Sequence, residues 1–177
     1  MTTRKLLINK KLNGKEIMIF EYIIKFMNMN VKNEMKLEFL SKSVNEAFAR
    51  ISIAAFASQL DPTIEEIADI KTAVSEAVTN AIIHAYADTE GIIKIKACIM
   101  EDEIQIEVID SGSGIENIEE AKEPLFTTKS NLERSGMGFT IMENFMDKLK
   151  VESIVGLGTK ITMIKQIKKE NKNSDTY

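Results

Sequence analysis

The run Ile67–Ala87 keeps a helical period with no proline or glycine to interrupt it. At about 100° per residue, Ile67, Ile70, Val74, Val78, Ala81 and Ala85 fall on one apolar face, which needs a layer to pack against. Glu76, Asn80 and His84 follow at successive i,i+4 steps and make one polar stripe on the other side. Beside that stripe stand Ala73 and Ala77, small enough to let another group approach closely. A solvated outer face would carry several lysines, arginines and glutamates instead. The start is marked by Asp61-Pro62, which breaks the chain, and by Thr63 with Glu66 three residues on, the pattern of a capping box.

The elements around this helix alternate in type. Met35, Leu37 and Phe39 alternate with charged residues and predict a strand. Ser43 with Glu46 predicts a capped helix running to about Gln59, with Val44, Phe48, Ile51 and Ala55 as its apolar side. Arg50 lies on that helix. After the central helix, Ile93–Ile99 and Ile104–Val108 alternate as two strands around a Glu101-Asp102-Glu103 turn. A short helix is expected at Ile118–Lys122, a loop over Glu123–Ser135, and a helix at Phe139–Met146. Leu149–Ser153 and Ile161–Met163, joined at Gly156-Leu-Gly158, read as a closing hairpin. Half-polar strands in succession predict an antiparallel sheet covered by helices on one face.

Composition narrows the classes of function. The 177 residues suffice for one domain with a sizeable core. A net charge of −4 argues against general nucleic-acid binding. One cysteine, Cys98, and one histidine exclude a disulfide framework and a zinc site, and fit a reducing cytoplasmic interior. The apolar stretch Ile17–Val31 is interrupted by Glu21 and Lys25 and is too short to span a bilayer. Residues 1–30 show no orderly period or cap. They are expected to be an extension, either non-native or disordered, with Met27, Met29 and Met35 as internal starts and an added strand or helix as the alternative. The domain is then expected over 31–167, with a polar tail over 168–177.

The chemistry concentrates at glycine pairs. The second of the two central strands runs into Asp110-Ser-Gly-Ser-Gly114, and the loop with Lys129 and Arg134 closes at Gly136-Met-Gly138 before a helix. Glycines at a helix start let backbone N–H groups face an anion, which the helix dipole favours. Neither pair is diagnostic alone. The chain lacks a P-loop and a Rossmann fingerprint.

In order, Glu76-Ala-Val-Thr-Asn80, Asp110-Ser-Gly-Ser-Gly114, Gly136-Met-Gly138 and Gly158-Thr159 resemble the ATP-binding motifs shared by gyrase, Hsp90, histidine kinases and MutL. Within that superfamily, KTAVSEAVTNAIIHAY, EPLFTTK and ERSGMGFTIMENFMD resemble the serine kinases that inhibit sigma factors. The resemblance spans roughly Val31 to Ile167. It implies an α+β fold, a two-layer sandwich with a mixed, mostly antiparallel sheet and helices on one face. It implies ATP and Mg²⁺ as cofactors. Asn80 would hold the magnesium ion, and Asp110 would accept from the adenine amino group. Gly112 and Gly114 would let backbone pass the base and ribose, Gly136 and Gly138 would contact phosphates, and Thr159 would support the adenine end. Pro124–Ser135 resembles a lid, with Lys129 and Arg134 as phosphate contacts. Glu76 would be the general base for an incoming serine hydroxyl. Arg50 matches a position that meets protein partners.

The implied protein is a homodimeric protein serine kinase that binds sporulation sigma F and phosphorylates an anti-anti-sigma factor. A binding module that uses ATP without chemistry is the alternative. An ATPase clamp is disfavoured because no transducer domain follows. His84 is expected to pack or hydrogen-bond, since phosphotransfer to histidine would require a dimerisation helix bearing a substrate histidine, an element the sequence does not show.

Overall fold

The computed structural model describes residues 31–87, 89–123 and 137–168. The expected extension over 1–30, all but the first residue of the expected tail, and Lys129, Arg134 and Gly136 lie outside them.

Five strands form one sheet: β1 (Asn33–Leu40), β2 (Ile92–Ile99), β3 (Glu103–Ile109), β4 (Lys148–Ile154) and β5 (Gly158–Gln166), in the order β1-β2-β3-β5-β4. All four strand pairs are antiparallel, so the mixed component of the expected sheet is absent among the described residues. The alternation written in the sequence sets the register. Ala97 stands opposite Ile106, and Ile106 opposite Met163, so inward residues meet inward residues across three strands. Ile93, Ile95, Ile104, Ile106 and Met163 are almost completely buried on this face. The other face carries charge: Lys94 pairs with Glu38 at 3.4 Å, Lys96 with Glu34 at 3.1 Å and Lys160 with Glu152 at 2.8 Å. Such solvated pairs add little stability, but they keep this face wet and the helices on the other.

The covering layer is built from α1 (Val44–Ala57), α2 (Ile64–Asn80), α3 (Ile118–Lys122) and α4 (Gly138–Phe145). The capping box predicted for α2 is present: Glu66 N–H donates to Thr63 Oγ1 at 3.1 Å, and Thr63 N–H to Glu66 Oε2 at 2.8 Å. Glu66 Oε1 also accepts from Lys168 N–H at 3.0 Å, tying the helix start to the end of the sheet. Lys165 joins three elements, donating to Asp69 at 2.8 Å and to the Phe145 carbonyl, the last residue of α4, at 2.9 Å.

Two expectations for α1 fail. Ser43 has helical backbone angles and makes no side-chain cap, because a capping side chain needs an extended residue to point back at the first turn. Glu46 is engaged elsewhere, pairing with Arg50 at 3.3 Å and accepting from Ser75 Oγ. The buried face is also a different one: Ala49, Ile53, Phe56 and Ala57 enter the core, while Val44, Phe48 and Ile51 are 76%, 54% and 58% exposed. The segment is apolar nearly all round, so its period alone cannot choose. Small Ala49 and Ala57 let α1 lie close to its neighbours, and the bulkier stripe is left outside.

The central helix changes type within the predicted run. Ordinary α-helix ends at Asn80, and Ala81–Ala85 continue as a π-turn. Ala73, expected beside the polar stripe, is fully buried in the core. Among the described residues, no helix is long and apolar enough to cross a membrane.

Candidate active site

The π-turn matters because it frees helix-end carbonyls, and such turns recur at functional sites. Ser113 takes two of them, donating from its N–H to Ala85 O at 3.2 Å and from Oγ to His84 O at 3.1 Å. The loop Asp110–Gly114, which leaves β3, is thereby held against the end of the helix that bears Asn80. Gly112 permits this closeness: a Cβ there would lie 2.2 Å from Ala85 O. Its missing side chain therefore makes room for the helix end, and Gly112 is not among the described residues that line the cavity. Gly114 does line it, with a φ of +71° that L side chains rarely adopt.

Between α2, this loop, α3, α4 and β5 lies a cavity of about 330 Å³. Asn80, His84, Asp110, Gly114, Gly138 and Thr159 all line it. One wall is apolar, made by Ala81, Val108, Phe139 and Ile161, and suits a flat ring.

At the inner end, Asp110 is 9% exposed. Its Oδ1 accepts both Gly112 N–H at 3.0 Å and Thr159 N–H at 3.2 Å. Among the described residues no donor reaches Oδ2, so one carboxylate oxygen remains to accept from a ligand. Burial pushes the Asp110 carboxyl above its usual range, and the two N–H bonds pull partly the other way. Thr159 is fixed beside it: its hydroxyl meets Ser153 Oγ at 2.9 Å, and its carbonyl accepts Asp110 N–H at 3.0 Å.

At the other end, Gly138 opens α4 against the central helix. A Cβ on Gly138 would lie 3.0 Å from Asn80 Nδ2 and 3.2 Å from Glu76 Oε2, so the amide and the carboxylate flank this glycine together. Met137 provides no side-chain cap, which leaves first-turn N–H groups of α4 available to an anion. Glu76 itself is not among the described residues lining the cavity. Among these residues no cluster of three or more metal-ligating side chains exists.

The structure thus brings together Asn80, Asp110, Gly114, Gly138 and Thr159, places Glu76 one helical turn from Asn80, and puts Gly112 behind the wall. Arg50 stands apart from the cavity on α1, paired with Glu46. Two residues of the site escaped sequence reasoning. Tyr86, buried, accepts Ser111 N–H at 2.7 Å and donates to Ile92 O at 2.8 Å. Ser153 accepts Ile115 N–H at 2.8 Å and lies 3.1 Å from the Gly158 carbonyl. The signal for Tyr86 was its position at the close of the helical run, since a buried tyrosine needs a hydroxyl partner. Ser153 gave none.

Residues 40–165 match the family model described as a histidine kinase-like ATPase domain. The chain is 64% identical to the anti-sigma F factor of Caldanaerobacter subterraneus over 139 residues, covering 78% of this chain and 97% of that protein. It is 62% identical to the anti-sigma F factor of Clostridium acetobutylicum over 136 residues, covering 77% of this chain and 95% of that protein. In fold it is similar to the solved RsbU and RsbW domains of a Mycobacterium tuberculosis protein, with a TM-score of 0.56 at 19% identity, covering 77% of this chain and 32% of that one. The chain belongs to the histidine kinase-like ATPase family and, within it, to the anti-sigma F factors.

Proposed function

We propose that this protein is an ATP-dependent serine kinase and anti-sigma factor, which binds sporulation sigma F and phosphorylates a serine of its anti-anti-sigma factor. The observation that carries the reading is the placement of Gly138 against both Asn80 and Glu76, with Asp110 at the far end of the same cavity. Adenine then lies against the apolar wall with its amino group on Asp110 Oδ2, and the phosphates lie at the start of α4. Magnesium fits this end of the cavity: the Asn80 amide oxygen would hold it beside the substrate phosphates, since this ion takes few protein ligands and keeps several waters, and it would supply charge neutralisation there. The Glu76 carboxylate accepts the proton of the incoming serine hydroxyl as the oxygen attacks the terminal phosphorus and ADP leaves. Lys129, Arg134 and Gly136 are assigned to the phosphates by family resemblance alone.

The partner surface belongs to α1. Val44, Phe48 and Ile51 form an exposed apolar stripe, with Leu40 and Ile92 also exposed at the paired ends of β1 and β2. A self-complementary patch of this kind suits a homodimer. Arg50, held by Glu46 on the same helix, is the cation offered to an acidic partner surface.

Transfer of label from γ-labelled ATP to the anti-anti-sigma protein tests the kinase reading. Transfer to serine, abolished by Asn80→Ala, is the expected result. Capture of sigma F by ATP-bound protein with no transfer to any anti-anti-sigma protein would leave a nucleotide-gated binding module. One observation favours that second reading: Glu76 stands outside the lining of the cavity.

A further inference from the structure

We propose that Tyr86 is a positioning residue for base recognition, holding Asp110 in the orientation that selects adenine. This rests on the nucleotide reading given above and extends it to a residue outside the cavity lining.

The hydroxyl of Tyr86 sits at a junction of three elements. It follows the π-turn directly, accepts from Ser111 N–H at 2.7 Å, and donates to Ile92 O at the start of β2 at 2.8 Å. Ser111 is joined to Asp110 by the peptide bond whose N–H Tyr86 holds. Fixing that peptide plane fixes where the Asp110 side chain leaves the backbone. The carboxylate is then set from two more directions by Gly112 N–H and Thr159 N–H on Oδ1, which leaves Oδ2 as the acceptor for the ligand. The ring of Tyr86 is held in turn by Gly91, where a Cβ would fall 2.0 Å from Cε1. Glycine there is a requirement of the tyrosine's position.

The other loop contacts leave this task undone. Ser113 ties the loop to the helix end two residues further on, and Ser153 ties Ile115 to the β4–β5 hairpin. Among the described residues only Tyr86 reaches the peptide next to Asp110 from the helix side. Without its hydroxyl, Ser111 N–H loses its partner and the loop turns to recover one. The carboxylate then swings relative to a base held by the apolar wall.

The consequence is specific to adenine. A ligand with a 6-amino group donates to Asp110 Oδ2, whereas inosine triphosphate offers a carbonyl at that position and gains nothing from the carboxylate. Tyr86→Phe keeps the ring against Gly91 and removes only the hydroxyl. Calorimetric titration with ATP and with inosine triphosphate, on wild type and Tyr86→Phe, reads the effect. The expected result is a loss of about tenfold in ATP affinity, with inosine triphosphate affinity changed by less than about twofold, so that the ratio collapses. An unfolded fraction lowers both affinities alike and leaves the ratio unmoved, so partial misfolding cannot mimic the result. A wild-type preference for ATP that persists in Tyr86→Phe overturns the proposal alone. Wild-type protein that shows no preference for ATP overturns the adenine reading and this proposal with it.

Discussion

Gly138→Ala separates what the site needs from what the fold needs. The backbone at Gly138 opens a helix at ordinary negative φ, so alanine is compatible with it. Restricting the unfolded chain at a compatible site stabilises by about 0.4–1 kcal/mol. Against this, the added methyl would lie 3.0 and 3.1 Å from the Asn80 amide atoms and 3.2 Å from Glu76 Oε2. These contacts are a few tenths of an ångström too tight, and they fall on the ends of two flexible side chains, so the side chains move and the backbone stays. The stability cost is small, and the melting temperature is expected to hold or to rise by about 2 °C for a domain of this size. The displaced groups, however, are the proposed magnesium ligand and general base. Misplacement of about 1 Å costs about a hundredfold in rate, so a few tenths costs about tenfold or less. Thermal melting by circular dichroism and transfer of labelled phosphate on one preparation provide both readings. A drop of many degrees with transfer unchanged would refute the reasoning, because it would make Gly138 a packing residue with no hold on Asn80 and Glu76.

Further outcomes follow from single residues. Asp110→Asn is expected to abolish ATP binding measured by calorimetry while leaving the melting temperature equal or higher, since it removes a buried charge and keeps an acceptor for the two N–H groups. For the wild type, the raised Asp110 pKa sets opposite signs for two measurements. ATP affinity falls as pH drops through the raised value and the acceptor is protonated, whereas this group's contribution to stability falls as pH rises from 3.8 through that value, where the folded state alone still holds the proton. Glu66 behaves in the reverse sense. Burial pushes its carboxyl up, but N–H bonds from Lys168 and Thr63 outweigh burial and hold it below 4.5, so its stabilisation is present above 4.5 and lost as pH falls through the folded value. Thr63→Ala, which breaks the same capping box, is expected to cost about 1 kcal/mol in denaturant unfolding. Phe48→Glu is expected to convert the proposed homodimer to monomers in sedimentation velocity without loss of melting temperature; an unchanged dimer would exclude this face of α1.

What could be read from the sequence divides by distance along the chain. The Thr63–Glu66 box lies within four residues and is dictated by local chemistry, and α3 runs over Ile118–Lys122 as predicted. The strands of the β2–β3 hairpin were legible because an alternation of period two has one solution once one face is buried. α1 was legible as a helix but not in its orientation, because Val44, Phe48 and Ile51 compete with Ala49, Ile53 and Phe56 for the core. The motif residues Asn80, Asp110, Gly114, Gly138 and Thr159 converge as their order implied. Gly112 was assigned to the ligand by resemblance, and the structure adds a second need for glycine there, room for the helix-end carbonyl; a glycine that admits a carbonyl and one that admits a base look the same in sequence. Tyr86 and Ser153 act through contacts 25 and 38 residues away; the place of Tyr86 at the close of the helical run hints at a buried hydroxyl but not at its partner, and nothing local to Ser153 reveals it.

On the proposed reading one helix stripe divides the work, with Asn80 binding and Glu76 performing chemistry. A single-turnover measurement tests this most directly: wild type and Glu76→Gln are saturated with labelled ATP and magnesium, then mixed with the anti-anti-sigma protein, and the transfer rate is followed. With the nucleotide already bound in both, Glu76→Gln is expected to be slower by about 10²–10⁴-fold. Equal rates in the two proteins would contradict it and leave Glu76 with no part in the chemistry.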